Sequence, residues 1–536
     1  MSIECHPITV LPNLSRIFSE YVDRSTPGNA PLWRFFAGSP FSKAWMRGTE
    51  RPISADRTRL VDALEAQNRS WGAGEATLLN LQRLRDGAHA VVTGQQVGLL
   101  GGPLLTLMKA ATAVRKAQVA TEAGVPHVPI FWMATEDHDL DEVNQAALLG
   151  KHSVETLRVQ IAEQRLRPVG GIEFGAEIEP VLERAEELLA YAPVCEALRA
   201  AYKPGETFGS AFAKFLTHVF REQGLIVIDA SGREFHALAS DPLRIAIEEA
   251  DALHEALVKR SAELAAAGYH SQVLVADGVS LLFLVDENGS RLPLRRPGDG
   301  SWKAGSRSYT DAELLSILTN EPERLSPNAL LRPVFQDVLL PTSMYIGGPA
   351  EIAYFAQSEV LYKRILGVMT PVFPRLSATL VEPAIRAVMD KHEIQFIDAL
   401  TTAEELAQRL GARALPIAGK RAIAAAGNAL DEELKSLLEW THHIDANLGR
   451  SAEISASKMR YQMNRIRRLA ANFELQKETS LRKHAEAVTL HLYPNLHPQE
   501  RLAAGCWFLG AAGDGLAQLL VDNAEQECPG HRVIDL

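Results

Sequence analysis

The sequence predicts an α/β protein with three parts: a Rossmann-like parallel-sheet core, a mixed α+β connecting insertion and a long antiparallel helical coiled-coil domain. Three observations predict it. Short β-rich runs recur with helical stretches between them, hairpin signals cluster mid-chain, and a proline-free stretch from about 430 to 490 repeats apolar residues at 3-4 spacing.

The core comes first. Runs at 89–93 (HAVVT), 127–133 (HVPIFWM), 225–229 (LIVID), 342–346 (TSMYI) and 371–374 (PVFP) read as short buried strands. Between the first two lies a helix: Pro103 sits at its start, Leu104, Leu107, Met108, Ala111 and Val114 share one face, and Gly124 fits its end. Strand, helix, strand makes a βαβ unit, which implies a parallel sheet covered by helices.

Two regions interrupt the core. Residues 273–276 and 280–285 flank Asp277-Gly278, and Asn288-Gly289 turns into 291–294; the expectation is a small separate antiparallel sheet, the alternative an extension of the main one. Further on, one long helix is expected over 382–410, then an Ala-rich connection from Pro416-Gly419. In the proline-free stretch that follows, to about 490, Leu430, Leu434, Leu437, Ile444 and Leu448, and later Met459, Met463, Ile466, Ala470 and Phe473, keep 3-4 spacing; two long helices joined by a short connection make an antiparallel αα-hairpin. A stripe this long calls for a partner, so a homodimer seam is expected. Tyr493-Pro494-Asn495 ends the helix, and the closing residues 533–536 (VIDL) suggest a return to the core. The expected division is 1–150, first part of the core; 151–340, connecting insertion with a core strand near 225–230; 341–381, last part of the core; 382–490, coiled-coil dimerisation domain; and 491–536, C-terminal segment.

Composition narrows the function classes. The chain is 46% hydrophobic and 23% charged with a net charge of −11, which disfavours a general nucleic-acid binder, since that needs a basic footprint. Its four cysteines, Cys5, Cys195, Cys506 and Cys528, show no CxxC spacing, so they read as unpaired and fit a reducing cytoplasm. The N-terminus lacks signal-peptide character, and the longest near-apolar run, 97–108, stops at Lys109. A membrane span needs roughly 20 apolar residues, so none is expected.

Three segments could carry chemistry. The first is TGQQVGLLGGP at 93–103, which leaves a strand and enters a helix, where glycines let backbone N–H groups approach an anion. Gly94, Gln95, Gln96, Gly98, Gly101 and Gly102 are the candidates there; a structural turn would account for Gly94 alone, and the spacing matches neither GxGxxG nor a P-loop. The second is EDHDLDE at 136–142, five carboxylates around one histidine after a parallel strand. Such a cluster can bind a divalent metal, hold an amine or act as acid and base; the alternative is a solvated loop with Asp139 or Asp141 as a helix cap. Glu136, Asp137, His138 and Asp139 are favoured. The third holds Arg332, Tyr345, Gly347-Gly348-Pro349, Glu351, Arg375 and Ser377. Here the arginines could clamp a carboxylate or phosphate, or be ordinary ion pairs, and the Gly-Gly-Pro echo could be one local way of starting a helix. A basic cluster at Lys458, Arg460, Arg465, Arg467 and Arg468 reads as a solvated coiled-coil flank, with a nucleotide phosphate as the lesser reading. No metal ligand set is assigned.

The motifs VVTGQQVGLLGGPLLTLMKAATAVRKA, VPIFWMATEDHDLDEVN, NALLRPVFQDVLLPTSMYIGGPAEIAYFAQ and VFPRLSATLVEP, in that order, resemble the bacillithiol biosynthesis cysteine-adding family, often called BshC. The resemblance runs from about Pro7 to the C-terminus. It implies a ligase that adds L-cysteine to the free amine of glucosaminyl-malate, a core in the style of class I aminoacyl-tRNA synthetases and a dimerising coiled coil. The synthetase signatures HIGH and KMSKS are absent. Carried onto this chain, the loop 94–102, the segment 136–139 and Arg332, Gly348, Glu351, Arg375 and Ser377 should line the core pocket. A cysteine carboxylate must be activated before it acylates an amine, so ATP or another nucleotide is the candidate cofactor. In the expected mechanism Asp137, His138 and Asp139 are catalytic, with His138 as base or amine holder, the N–H groups of 98–102 hold an anion, and Arg332 or Arg375 binds the malate. Two other classes stay open: a nucleotide-dependent transferase or metal-dependent hydrolase on the same core, and a non-enzymatic dimeric scaffold.

Overall fold

A computed structural model of the chain describes residues 3–48, 55–161, 166–189, 192–298, 300–524, 528 and 530–536. Five strands form the central sheet: β1 (His89–Gln95), β2 (His127–Met133), β3 (Ile226–Asp229), β4 (Thr342–Gly347) and β5 (Val372–Pro374). All are parallel, in the order β5-β4-β1-β2-β3. Each matches an expected run to within a residue or two. Their legibility has a physical cause: both faces of the sheet are buried. Ala90, Val92, Val128, Ile130 and Trp132 feed one hydrophobic cluster, while Phe131, Met133 and Val227 feed another. Doubly covered parallel strands therefore read as unbroken apolar runs, without hydrophobic-polar alternation.

The crossover from β1 to β2 is α1 (Leu104–Glu122), with Pro103 at its N-cap and Gly124 in the left-handed region at φ 94° just past its end. After β4 the chain enters α2 (Pro349–Ile365), where Pro349 occupies the first helical turn. The two Gly-Gly-Pro segments are thus both helix starts.

The insertion forms its own five-stranded antiparallel sheet, separate from the core. Val279–Val285 and Arg291–Arg295 pair around Asn288-Gly289 as expected, with Leu325–Pro327 on one side and Trp302–Ala304 and Arg307–Tyr309 on the other. Residues 273–276 are not a strand. The Gln357 side chain takes both backbone groups of Val273, accepting from its N–H and donating to its C=O, each at 2.9 Å, so no ladder is needed there.

In the helical part, the expected helix over 382–410 is broken into Pro383–Lys391, Phe396–Ala399 and Ala403–Ala414. Glu393 takes a left-handed φ of 53°, and Thr402 starts the last segment by accepting from Glu405 N–H at 3.1 Å. The Pro416-Gly419 stretch is no connection but the beginning of α3 (Ile417–Ile444), capped at Pro416. Asp445 alone separates α3 from α4 (Ala446–Lys477), its carboxylate accepting from Asn447 and Leu448 N–H at 2.8 and 3.0 Å. The two helices pack as a hairpin, but its turn is at Asp445, inside the stretch 430–490, and not at the expected connection near 416–419.

The tail does return to the core. His531–Asp535 lies between Ile3–His6, antiparallel, and Ala378–Val381, parallel. This brings the chain ends together and joins Cys5 to Cys528 in a disulfide, which corrects the expectation of four unpaired cysteines; Cys195 and Cys506 form no disulfide among the described residues. Two cysteines 523 positions apart carry no spacing signal, because a sheet made of both termini pairs them. Among the described residues no helix is long and apolar enough to cross a membrane.

Candidate active site

The order of the core strands reverses between β4 and β1, from which α2 and α1 leave in opposite directions along the sheet. Open α/β sheets bind ligands at such a point, beyond the C-terminal strand ends. A cavity of about 730 Å³ lies there, walled by Gly94, Gln95 and Gln96 after β1, by Glu136, Asp137 and His138 after β2, and by Gly348, Glu351 and Arg375 after β4 and β5. Arg332, Tyr345 and Lys109 line it from below, and Phe283 and Arg291 of the insertion sheet close it from above.

On one wall the polar groups form a network. The Lys109 ammonium, only 3% exposed, pairs with Glu351 and donates to Gly94 O at 2.7 Å and to Gln95 Oε1 at 2.8 Å. Glu351 also accepts from Tyr345 Oη at 2.6 Å and from Gly348 N–H at 2.7 Å. Arg332 donates to the Tyr345 and Tyr354 hydroxyls at 3.3 and 3.2 Å. Burial pulls the Lys109 proton affinity down, which the Glu351 charge opposes and Arg375 and Arg332 reinforce. Burial would raise Glu351, but Lys109 and the hydrogen bonds outweigh it and hold the carboxylate below its ordinary value. Tyr345 is pushed well up, by burial and then by Glu351. The wall is a preorganised charged surface whose cations are held in place by one buried carboxylate.

The opposite wall is the acidic turn. Asp137 accepts from Gln96 Nε2 at 2.7 Å and from His138 N–H at 2.7 Å, and Gln96 also donates to Glu142 at 2.6 Å. Glu136 lies 2.9 Å from Nε2 of His236, a fully buried histidine behind it. His138 has its Nδ1 3.3 Å from the Arg291 guanidinium, which itself stacks 3.8 Å over Phe283. An arginine can only donate, so Nδ1 accepts and the ring proton sits on Nε2. In this tautomer His138 has an Nε2–H to donate.

Other expected residues fall elsewhere. Asp139 stands at the N-cap position of Leu140–Val143, outside the cavity lining. Gly98, Gly101 and Gly102 also lie outside it, and their N–H groups are spent on Gln96 O, Tyr202 Oη and Leu99 O. A Cβ on Gly101 would meet the Phe215 ring at 2.6 Å, so close packing accounts for glycine there. The loop therefore offers no cradle for an anion, contrary to expectation. Arg375 is a buried ion pair with Glu500 at 2.7 Å and also donates to Leu376 O at 2.7 Å, which leaves it little to offer a ligand. Ser377 lines a neighbouring cavity instead, bonded to Glu500 and His531.

Lys109, His236, Arg291, Tyr354 and Arg501 belong to the site or support it and were not singled out by sequence. Lys109 had a signal: one lysine on the apolar face of a helix that begins at a strand end. Arg501 had none. It arrives from the C-terminal segment, and burial and the nearby Arg375 lower its proton affinity, marking a positive corner. Among the described residues no three His, Cys, Asp or Glu side chains gather as a metal-binding group.

Comparison with known proteins places these features. The model of the bacillithiol biosynthesis BshC N-terminal Rossmann-like domain matches residues 1–376, and that of the BshC C-terminal coiled-coil domain matches 378–536. A protein of Koribacter versatilis is 39% identical over 99% of this chain and 99% of its own, and one of Solibacter usitatus 37% identical over 100% of each. One of Salinibacter ruber is 31% identical over 90% of this chain and 89% of its own. Each of the three bears the name "Putative cysteine ligase BshC".

Proposed function

The chain belongs to the bacillithiol biosynthesis BshC family, and from that premise we propose that it joins L-cysteine to the amine of glucosaminyl-malate through an amide bond. In class it is a ligase. The observation that carries the finer reading is the cavity at the strand reversal, with acidic groups on one wall and fixed cations on the other.

Chemistry assigns the roles. The amine arrives as an ammonium, which Glu136 and Asp137 attract; to attack, it must give up a proton, and these carboxylates are its nearest acceptors. As the C–N bond forms, negative charge grows on the carbonyl oxygen; it is discharged when the C=O re-forms and the activating group leaves with the bonding electron pair. The His138 Nε2–H is the donor that meets this charge, and Lys109, its own hydrogen bonds already made, contributes only its fixed positive charge. Arg332, which lines the large cavity, holds a malate carboxylate. ATP is the activating co-substrate in this reading, although the 98–102 loop gives its phosphates no seat. The coiled coil joins two copies of the chain.

The test is direct: incubate the purified protein with L-cysteine, glucosaminyl-malate and labelled ATP, then assay the thiol product and AMP or ADP. Product with stoichiometric nucleotide cleavage is expected. Product with intact ATP would remove the activation step, and no product would remove the ligase reading.

A further inference from the structure

Beside the main cavity lies a second one of about 330 Å³, built from the N-terminal segment, the turns after β4 and β5, and the C-terminal segment. The two share a wall made by Pro349, Arg375 and Arg501. Resting on the ligase reading, we propose that this smaller cavity is the cysteine site, with the amino-acid carboxyl at the shared wall against Arg501 and the thiol among Leu11, Leu14 and Phe18.

Four observations support it. A condensing enzyme must bring two substrates end to end, and two chambers with one common wall provide that meeting point. Size divides them: the larger chamber suits the sugar-malate and the smaller a ligand of few atoms. Polarity orients the smaller ligand. Its far end is apolar, with Leu11 and Phe18 buried, and its near end carries Arg501, whose neighbour Arg375 is already committed to Glu500. A carboxylate at Arg501 and a weakly polar thiol among leucines fit that gradient. Finally, Leu496, which borders this cavity, holds a left-handed φ of 61°. Non-glycine residues keep such backbone only where the surroundings enforce it, and such positions cluster at ligand clamps.

Calorimetric titration tests the assignment, with L-cysteine and glucosaminyl-malate titrated separately, alone and with the other present, into wild type, Leu14→Trp and His497→Glu. Neither variant touches the lining of the large cavity. Each should weaken cysteine binding by about tenfold or more and leave glucosaminyl-malate within about twofold. Should one variant lose its cooperative thermal transition, the other decides. Unchanged cysteine binding in a folded variant overturns the assignment, as does weakened glucosaminyl-malate binding, which would give the chamber to the acceptor. Wild type that binds neither substrate and forms no product overturns the ligase reading itself.

Discussion

Lys109 and Glu351 show how a residue pair can serve stability and chemistry together. Removing one partner of a buried ion pair leaves the other charge unsolvated, at about 3–5 kcal/mol. Lys109→Met should therefore lose about that much in denaturant unfolding, and the double variant Lys109→Met/Glu351→Gln should recover most of it while remaining inactive. A purely additive double variant would show that the two do not act as a pair. His236 makes the complementary case: it touches no cavity surface but stands behind Glu136. His236→Phe should lower product formation about tenfold or more through a higher KM for the amine substrate, with the melting temperature moved by only a few degrees. Loss of cooperative melting instead would mark the histidine as structural.

The helical arm is the element whose surface least resembles that of a finished monomer. Met459, Ile466 and Phe473 recur every seventh residue on α4 and are 52%, 53% and 63% exposed, and Leu437 and Ile444 do the same on α3 at 48% and 53%. In the proposed dimer this open heptad stripe is the seam between the two chains. Sedimentation equilibrium should find a dimer, and Ile466→Glu/Phe473→Glu should shift it to monomer at the same concentration. A dimer that survives both charges would place the seam elsewhere. The basic cluster on the same helix meets the solvated reading: Arg460 pairs with Asp431 at 2.7 Å and Arg468 lies 5.6 Å from the Tyr461 ring centre.

For the molecule as a whole, the chain ends act as a clasp. A disulfide typically adds about 2–4 kcal/mol by restricting the unfolded chain. Cys5→Ser, or a thiol reductant, should lower the melting temperature, and non-reducing peptide mapping should recover the Cys5–Cys528 link. The same mapping on protein trapped with an alkylating agent in cells reports the compartment, since a reducing cytoplasm keeps such pairs open. Acid should destabilise the fold as well. Burial holds His127 and His531 down to about 4 from an ordinary 6.5, so both are neutral in the fold. Below pH 6.5 the unfolded chain takes up protons that the folded one refuses. Stability is then complete above that value and falls as pH drops toward 4, by about 1.4 kcal/mol per pH unit for each group. A flat denaturation midpoint across this window would refute it.

By itself the sequence determined the core strands, the start of α1, the hairpin at Asn288-Gly289 and the helical periodicity of 430–490, because each rests on local periodicity or turn chemistry within a short window. It also placed the acidic turn and Gly94 to Gln96 at the cavity, since both follow strands directly. Tertiary structure alone decided the rest. No proline or glycine marks the left-handed Glu393 that breaks the expected helix, and only packing fixes it. The tautomer of His138 depends on Arg291, the environment of Glu136 on His236, and the positive corner on Arg501, each brought in from a distant element. The same holds for Cys5 and Cys528. Long-range pairs leave no periodic trace, because the energy that joins them belongs to the assembled sheets and not to either segment.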